Sequence, residues 1–335
     1  MDVSTPTRPE SEARHVTPLA ADAARAYALV EDVTRWPLLF TPCVHAEETE
    51  RDGESQRIRL WAVVGGDVRS WTSRRRLRPA EHRIDFAQEQ PAPPVTAMGG
   101  HWRFVSAGEE PGVLELAHHW RTEGPAGTAE RIAEALDANS DAEIAALRSW
   151  AESPYAPEDL LVRFRDEETV AAPPADVYAF LYEADRWPER LPHVAGLDLE
   201  TVPADEATAG ADVQTMDMET RTADGSAHVT QSIRLCFADE RAAGDGVAGY
   251  RIVYKQTTPP RGLLAHSGAW IVTVGADGTR VAAEHTVALD PAALDDVFGP
   301  GTTLAQAAAV VRERVGGNSR ATLRAAREQL TRVGP

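Results

Sequence analysis

Two serine–arginine pairs stand out as groups capable of chemistry. Ser73-x-Arg75 and Ser232-x-Arg234 are the same arrangement met twice, 159 positions apart. Alternate side chains of a strand share a face, so each serine lies beside its arginine, with Trp71 on the same face in the first case and Thr230 in the second. An arginine turned into an apolar interior is costly unless it meets an acceptor. It cannot serve as a base, because its pKa exceeds about 12. It can bind an anion or an enolate, stabilising charge that develops on oxygen. The other reading is a surface pair making cross-strand polar contacts, and recurrence beside altered neighbours weakens it. Gln88 and Gln256 each end a strand ahead of a proline-rich loop, Pro91-Ala92-Pro93-Pro94 and Pro259-Pro260, as solvated strand ends or as groups at a pocket mouth. Other motifs fail on context. Gly244-Asp245-Gly246-Val247-Ala248-Gly249 has dinucleotide-binding spacing but leads into a strand and reads as a hairpin loop. His118 and His119 are adjacent, so they face opposite sides of a strand and cannot share a metal. No nucleophile elbow, phosphate loop or zinc spacing is present, and no metal or cofactor is expected.

The pairs recur because the chain is two copies of one domain. Arg35-Trp36-Pro37 and Arg186-Trp187-Pro188 are 151 positions apart, as are Tyr27-Ala28 and Tyr178-Ala179. Gly100-His101-Trp102 matches Gly268-Ala269-Trp270 at an offset of 168. A repeat this long is a domain with its own core rather than a solenoid unit. The boundaries expected are 1–150, a linker at 151–159 carrying Pro154 and Pro157, and 160–335.

Each copy opens with an extended segment, followed by a helix start at Ala21-Asp22-Ala23 or Pro173-Pro174-Ala175-Asp176. The Trp-Pro corner is expected to end that helix, because proline disfavours helical geometry in the residue before it. About six strand-like segments follow, broken by Asp52-Gly53, Gly65-Gly66-Asp67, Asp224-Gly225 and Asp277-Gly278. A long helix closes each copy, Thr128–Trp150 and Thr303–Val333. This order predicts an α+β fold in which a curved antiparallel sheet wraps a long C-terminal helix and leaves an interior pocket. Arg75 then faces opposite to Arg74 and Arg76, which are solvated. Trp102 and Trp270 are expected in the core.

Composition narrows the function. A formal charge of −18 argues against nucleic acid. No run of apolar residues is long enough for a membrane helix, the Met1-Asp2-Val3-Ser4 start is no secretory signal, and Cys43 and Cys236 have no ligand spacing, all consistent with a cytoplasmic protein. Lys255 is the one lysine among 34 basic residues, a bias of GC-rich, actinobacterial coding. Six of the eight tryptophans fall in the first copy, which makes it the expected main pocket for a planar or ring-forming ligand.

Trp36-Pro37 followed by Phe40, Trp71-x-Ser73-x-Arg75 and His101-Trp102, in that order, resemble the aromatase/cyclase family of bacterial aromatic (type II) polyketide synthesis, whose fold is the helix-grip or START-like domain. The tandem arrangement resembles the family's di-domain members over nearly the whole chain. The resemblance implies a cofactor-independent enzyme that folds a reduced poly-β-ketone held on acyl carrier protein. It closes the first ring by an aldol step between the seventh and twelfth carbons and assists loss of water. It implies partners in the minimal synthase and ketoreductase. Arg75 would bind the carbonyl that becomes an enolate or alkoxide, Ser73 would position water or the departing hydroxyl, and Gln88 joins them as a catalytic candidate. Trp36, Phe40, Trp61, Trp71, Met98 and Trp102 would shape the first pocket, and Trp187, His193, Ser232, Arg234, Tyr254, Gln256, His266 and Trp270 the second. A tyrosine of single-domain relatives is replaced near Cys43, with His193 near that position in the second copy. The competing readings are a non-catalytic carrier of lipid or hydrophobic metabolite and a structural role within a synthase complex.

Overall fold

A computed structural model describes residues 11–108, 111–221, 227–238 and 249–331. The chain divides into two compact units, Met1–Pro154 and Tyr155–Pro335. The first contains β1 (Ser11–Pro18), α1 (Ala23–Glu31), α2 (Trp36–Leu39), β2 (Cys43–Asp52), β3 (Ser55–Val64), β4 (Asp67–Arg78), β5 (Arg83–Gln88), β6 (Val95–Val105), β7 (Val113–Thr122) and the long α3 (Thr128–Ala151). Its seven strands form one antiparallel sheet in the order β1-β7-β6-β5-β4-β3-β2. Every link between β2 and β7 is a hairpin, and the first strand returns to pair with the last.

The second unit repeats this plan with α4 (Pro157–Leu160), β8 (Leu161–Val170), α5 (Pro174–Tyr182), α6 (Trp187–Arg190), β9 (Val194–Val202), β10 (Asp212–Arg221), β11 (Ala227–Phe237), β12 (Gly249–Thr258), β13 (Leu263–Gly275), β14 (Gly278–Leu289), α7 (Leu294–Phe298) and the long α8 (Leu304–Thr331). Its sheet order is β8-β14-β13-β12-β11-β10-β9. The expected 151–159 linker contains the last residue of α3 and the start of α4. The Asp224-Gly225 turn and most of the 244–249 glycine run lie outside the described residues, and Gly249 opens β12.

The Trp-Pro corner differs from the expectation. The first helix ends at Glu31, ahead of the corner, and Trp36-Pro37 begins α2. Trp36 is itself helical, with φ −58° and ψ −35°. Proline is tolerated in a first turn, where its missing N–H has no helical partner to lose. Asp32 stops α1 by accepting from Thr34 N. The tryptophan then ties the corner back, its indole N–H donating to Val30 O at 3.2 Å, as Trp187 donates to Phe180 O at 3.3 Å.

Strand alternation puts the core on one face of each sheet. Ile58, Leu77, Ile84, Trp102, Phe104, Leu114 and Leu116 are buried in the first unit, where α3 contributes Ser140, Ile144 and Leu147 to the buried face. The second core joins Val177, Phe180, Leu181 and Trp187 to Met216, Ile252, Trp270, Val272, Val281 and Leu323. Trp102 and Trp270 are core residues, at 5% and 7% exposure.

Candidate active site

The central strands carry matching rows. In the first unit, register sets Gln56 against Arg75, Arg75 against Phe86, Phe86 against Gly100 and Gly100 against His118. In the second, Gln214, Arg234, Tyr254, Gly268 and His285 follow in the same order. The glycine makes room for the aromatic ring. A Cβ on Gly268 would stand 2.5 Å from Tyr254 Oη, and one on Gly100 would stand 2.7 Å from the Phe86 ring. One step along, Ser73 lies against Gln88 and Ser232 against Gln256. Each serine–arginine–glutamine set is therefore brought together from two neighbouring strands.

Both arginines are buried, with Arg75 3% and Arg234 1% exposed, whereas Arg74 and Arg76 are exposed. Arg75 Nη2 donates to Val30 O at 2.6 Å and Nη1 to Glu31 O at 3.3 Å. Arg234 Nη2 donates to Leu181 O at 2.6 Å. These carbonyls belong to the last turns of α1 and α5, where the helix presents unpaired acceptors and the negative end of its dipole. The guanidinium groups also lie 5.2 Å from the Trp36 ring and 5.1 Å from the Trp187 ring. Burial holds the Arg75 pKa down at about 9 and lowers that of Arg234. The arginine thus anchors the sheet to the helix as well as facing the interior, a partner that alternation could not reveal.

In the second unit the sheet and α8 enclose a cavity of about 140 Å³. It is lined by Trp187, His193, Ser232, Arg234, Tyr254, Gln256, His266 and Trp270, and also by Thr230, His285, Asn318, Ser319 and Thr322. Buried polar atoms without a hydrogen-bond partner gather on these residues: His193 Nδ1, Thr230 Oγ1, Arg234 Nε and Nη1, Gln256 Oε1 and His285 Nε2. Since buried polar groups are nearly always paired, this concentration in one cavity is what a ligand with several oxygens would satisfy. A further cleft of about 470 Å³, lined by His15, Val16, Thr17, Asp141, Ile144, Ala145 and Arg148, includes none of the predicted first-pocket residues.

Within the first unit, Trp36, Phe40 and Trp102 come together, with Trp36 and Phe40 edge-on at 5.4 Å and Phe40 stacked on Trp102 at 6.4 Å. Trp71 is half-buried beside Leu60, and half-buried Met98 lies against Trp120. Trp61 is placed otherwise. It pairs with Ser70, one residue out of phase with Leu60 and Trp71, so it occupies the opposite face, where its ring meets His45 at 5.3 Å. Cys43 is buried, and the His193 imidazole is lowered in pKa by burial.

Two first-unit groups were not among the expected site residues. His118 shares the inner face with Phe86, edge-on at 5.5 Å, and burial pushes its pKa down to about 4. Glu143 lies on the α3 face between Ser140 and Leu147, and burial raises its pKa to about 7. The residue is half-buried. Its folded pKa lies above the ordinary 4.5, so its contribution to stability is present below pH 4.5 and is lost as pH rises to about 7. Glu143→Gln is therefore expected to match the wild type near pH 4.5 and exceed its stability by roughly 2–3 kcal/mol above pH 7. Urea unfolding across that range measures the difference, and parallel pH profiles would refute it.

Among the described residues no three His, Cys, Asp or Glu side chains converge as a metal site. No described helix is long and apolar enough to cross a membrane. The outward arginines of β4 are balanced by carboxylates, with Arg74 2.7 Å from Glu89 and Arg78 2.8 Å from Asp85.

Two tandem sheet-and-helix units, each with a buried Ser-x-Arg row, define a di-domain helix-grip protein. The family model described as polyketide cyclase/dehydrase and lipid transport matches residues 19–141 and 170–309, and the chain belongs to that family. It is 45% identical to the actinorhodin polyketide synthase bifunctional cyclase/dehydratase of Streptomyces coelicolor, over 92% of this chain and 94% of that one. It is 40% identical to the granaticin polyketide synthase bifunctional cyclase/dehydratase of Streptomyces violaceoruber, over 99% and 98%. The crystal structure of the di-domain ARO/CYC BexL from the BE-7585A biosynthetic pathway superposes with a TM-score of 0.78 at 38% identity, covering 97% of this chain and all of BexL. The chain is a di-domain polyketide aromatase/cyclase, an enzyme with cyclase/dehydratase activity.

Proposed function

We propose that the enzyme takes a reduced poly-β-ketone carried on acyl carrier protein, closes its first ring between the seventh and twelfth carbons, and removes water to aromatise it. The observation that carries this reading is the set of buried, unpartnered polar atoms on residues lining a cavity that also has Trp187, Met216, Met218, Leu263 and Trp270 in its wall. A chain of ketones offers an acceptor at every second carbon. Fixed donors hold chosen oxygens, and apolar walls exclude water and unproductive folds. Arg75 and Arg234 stabilise enolate or alkoxide character, and Ser73 and Ser232 sit beside them to position water or hydroxyl. Helix anchoring would serve a lipid carrier equally, but Arg234 keeps Nε and Nη1 without a protein partner, more than an anchor to Leu181 O requires.

The reading is tested by reconstituting the minimal synthase and ketoreductase with and without this protein. Addition is expected to convert shunt products into one compound with its first ring closed at the seventh and twelfth carbons and aromatised. The same product mixture in both reactions would overturn it.

A further inference from the structure

The second unit's cavity contains a hydrogen-bonded group that the first lacks. Tyr254 Oη lies 2.7 Å from His285 Nδ1 and 3.2 Å from His266 Nε2, and the two nitrogens are 3.1 Å apart. At the matching places the first unit has Phe86, His118 and Met98, so two of the three polar groups are replaced by apolar ones. The fold tolerates the apolar set, which means that the polar set is not required to build the sheet.

We propose that Tyr254, His266 and His285 form the proton-transfer centre for loss of water, which places the dehydratase half of the activity in the second unit. The inference rests on the function proposed above and assigns one step of it. Burial lowers the pKa of both imidazoles, His266 well below its ordinary value and His285 to about 4, so both are neutral and offer a lone pair as base. Burial raises the Tyr254 phenol, so it keeps its proton until one is drawn from it. The distances fit a relay in which His285 Nδ1–H donates to Tyr254 Oη and Oη–H donates to His266 Nε2, which leaves the lone pair of His285 on Nε2. Phe164 stacks on the His285 ring at 4.6 Å, and Arg312, 4.4 Å from the Phe164 ring, is held by Asp166 at 2.7 Å. This backing fixes the ring, and the Arg312 charge further disfavours imidazolium. Gly316 leaves the room that Arg312 needs, since a Cβ there would fall 2.0 Å from its guanidinium.

The substrate class is a β-hydroxy ketone. Arg234, whose Nε and Nη1 are free, holds the ketone oxygen and so acidifies the adjacent carbon. His285 Nε2, which has no protein partner, takes the proton from that carbon while Tyr254 Oη passes its own proton to the departing hydroxyl and receives the Nδ1 proton of His285. The C–H and C–O bonds break, a C=C bond forms and water leaves. Tyr254 is thereby restored and His285 is left as its other neutral tautomer, with the proton on Nε2, which proton exchange with water resets.

Tyr254→Phe and His266→Met, which install the first unit's own residues, test this in the reconstituted synthase with ketoreductase. Both variants are expected to keep the total of first-ring products and to shift them at least tenfold towards the undehydrated, hydroxylated ring. Their dehydration should also lose its solvent deuterium isotope effect. Folding is checked by circular dichroism, and His285→Gln replaces either variant that unfolds. An unchanged ratio of dehydrated to hydroxylated ring in folded variants would overturn the assignment. Failure of the wild type to alter ring closure would instead count against the function on which it rests.

Discussion

Arg75→Ala is expected to destabilise the first unit by roughly 2–4 kcal/mol and to divert most product into spontaneous shunt cyclisations. The stability term follows from geometry. Removing the guanidinium strips Val30 O and Glu31 O of their donor and leaves a void under Trp36. The product term follows from loss of the one fixed cation among the buried residues of that sheet face. Arg75→Lys separates the two effects. Its ammonium can still reach a helix-end carbonyl but cannot present a second, planar donor pair to a substrate oxygen. The lysine variant should therefore recover much of the stability and little of the product selectivity. Denaturant titration with product chromatography measures both, and unaltered product ratios from folded variants would remove Arg75 from the chemistry and leave it as a helix anchor.

A different outcome is expected for Arg234→Ala. One nitrogen of Arg234 is committed to Leu181 O, while Nε and Nη1 have no protein partner and the residue lines the cavity. Deleting a preorganised donor of this kind reduces turnover by roughly 10²–10³-fold. The loss is expected in formation of the aromatised ring, with ring closure retained, whereas Arg75→Ala disturbs closure itself. The double variant should then show both losses together, as for steps run in separate pockets. If Arg75→Ala and Arg234→Ala gave the same product profile, the two units would be doing one job rather than two. The tryptophan count favours the first unit as the main pocket, but side-chain placement supports a division of labour. Trp61 occupies the face opposite to Trp71, and the second unit holds the Tyr254–His266–His285 group where the first has Phe86, Met98 and His118.

Several features follow from order along the chain alone. Repetition of the Trp-Pro corner and of Ser-x-Arg establishes two similar domains, because residues repeated in order imply elements repeated in order. The inward turn of Arg75 between outward Arg74 and Arg76, and the opposed faces of His118 and His119, follow from the two-residue period of a strand. These are local properties, set by backbone geometry within a few residues. The corner shows the limit even of local reasoning. Proline's effect on its predecessor is a bias, and the first turn of a new helix overrides it at Trp36.

Tertiary structure decided what those side chains meet. Arg75 finds its acceptors 44 and 45 residues away, at the end of a helix whose position depends on the whole core. Tyr254, His266 and His285 come from three strands and converge because hairpin register aligns them and because Gly268 has no side chain in the way. Glu143 looks like an ordinary polar helix residue in the sequence, and its raised pKa follows from burial in the folded unit. Which residues exist and which way they alternate is written in the chain at short range. Whether a charge is paired, a phenol meets an imidazole or a carboxyl loses its water depends on contacts between segments far apart in sequence, and these exist only once the sheet has wrapped its helix.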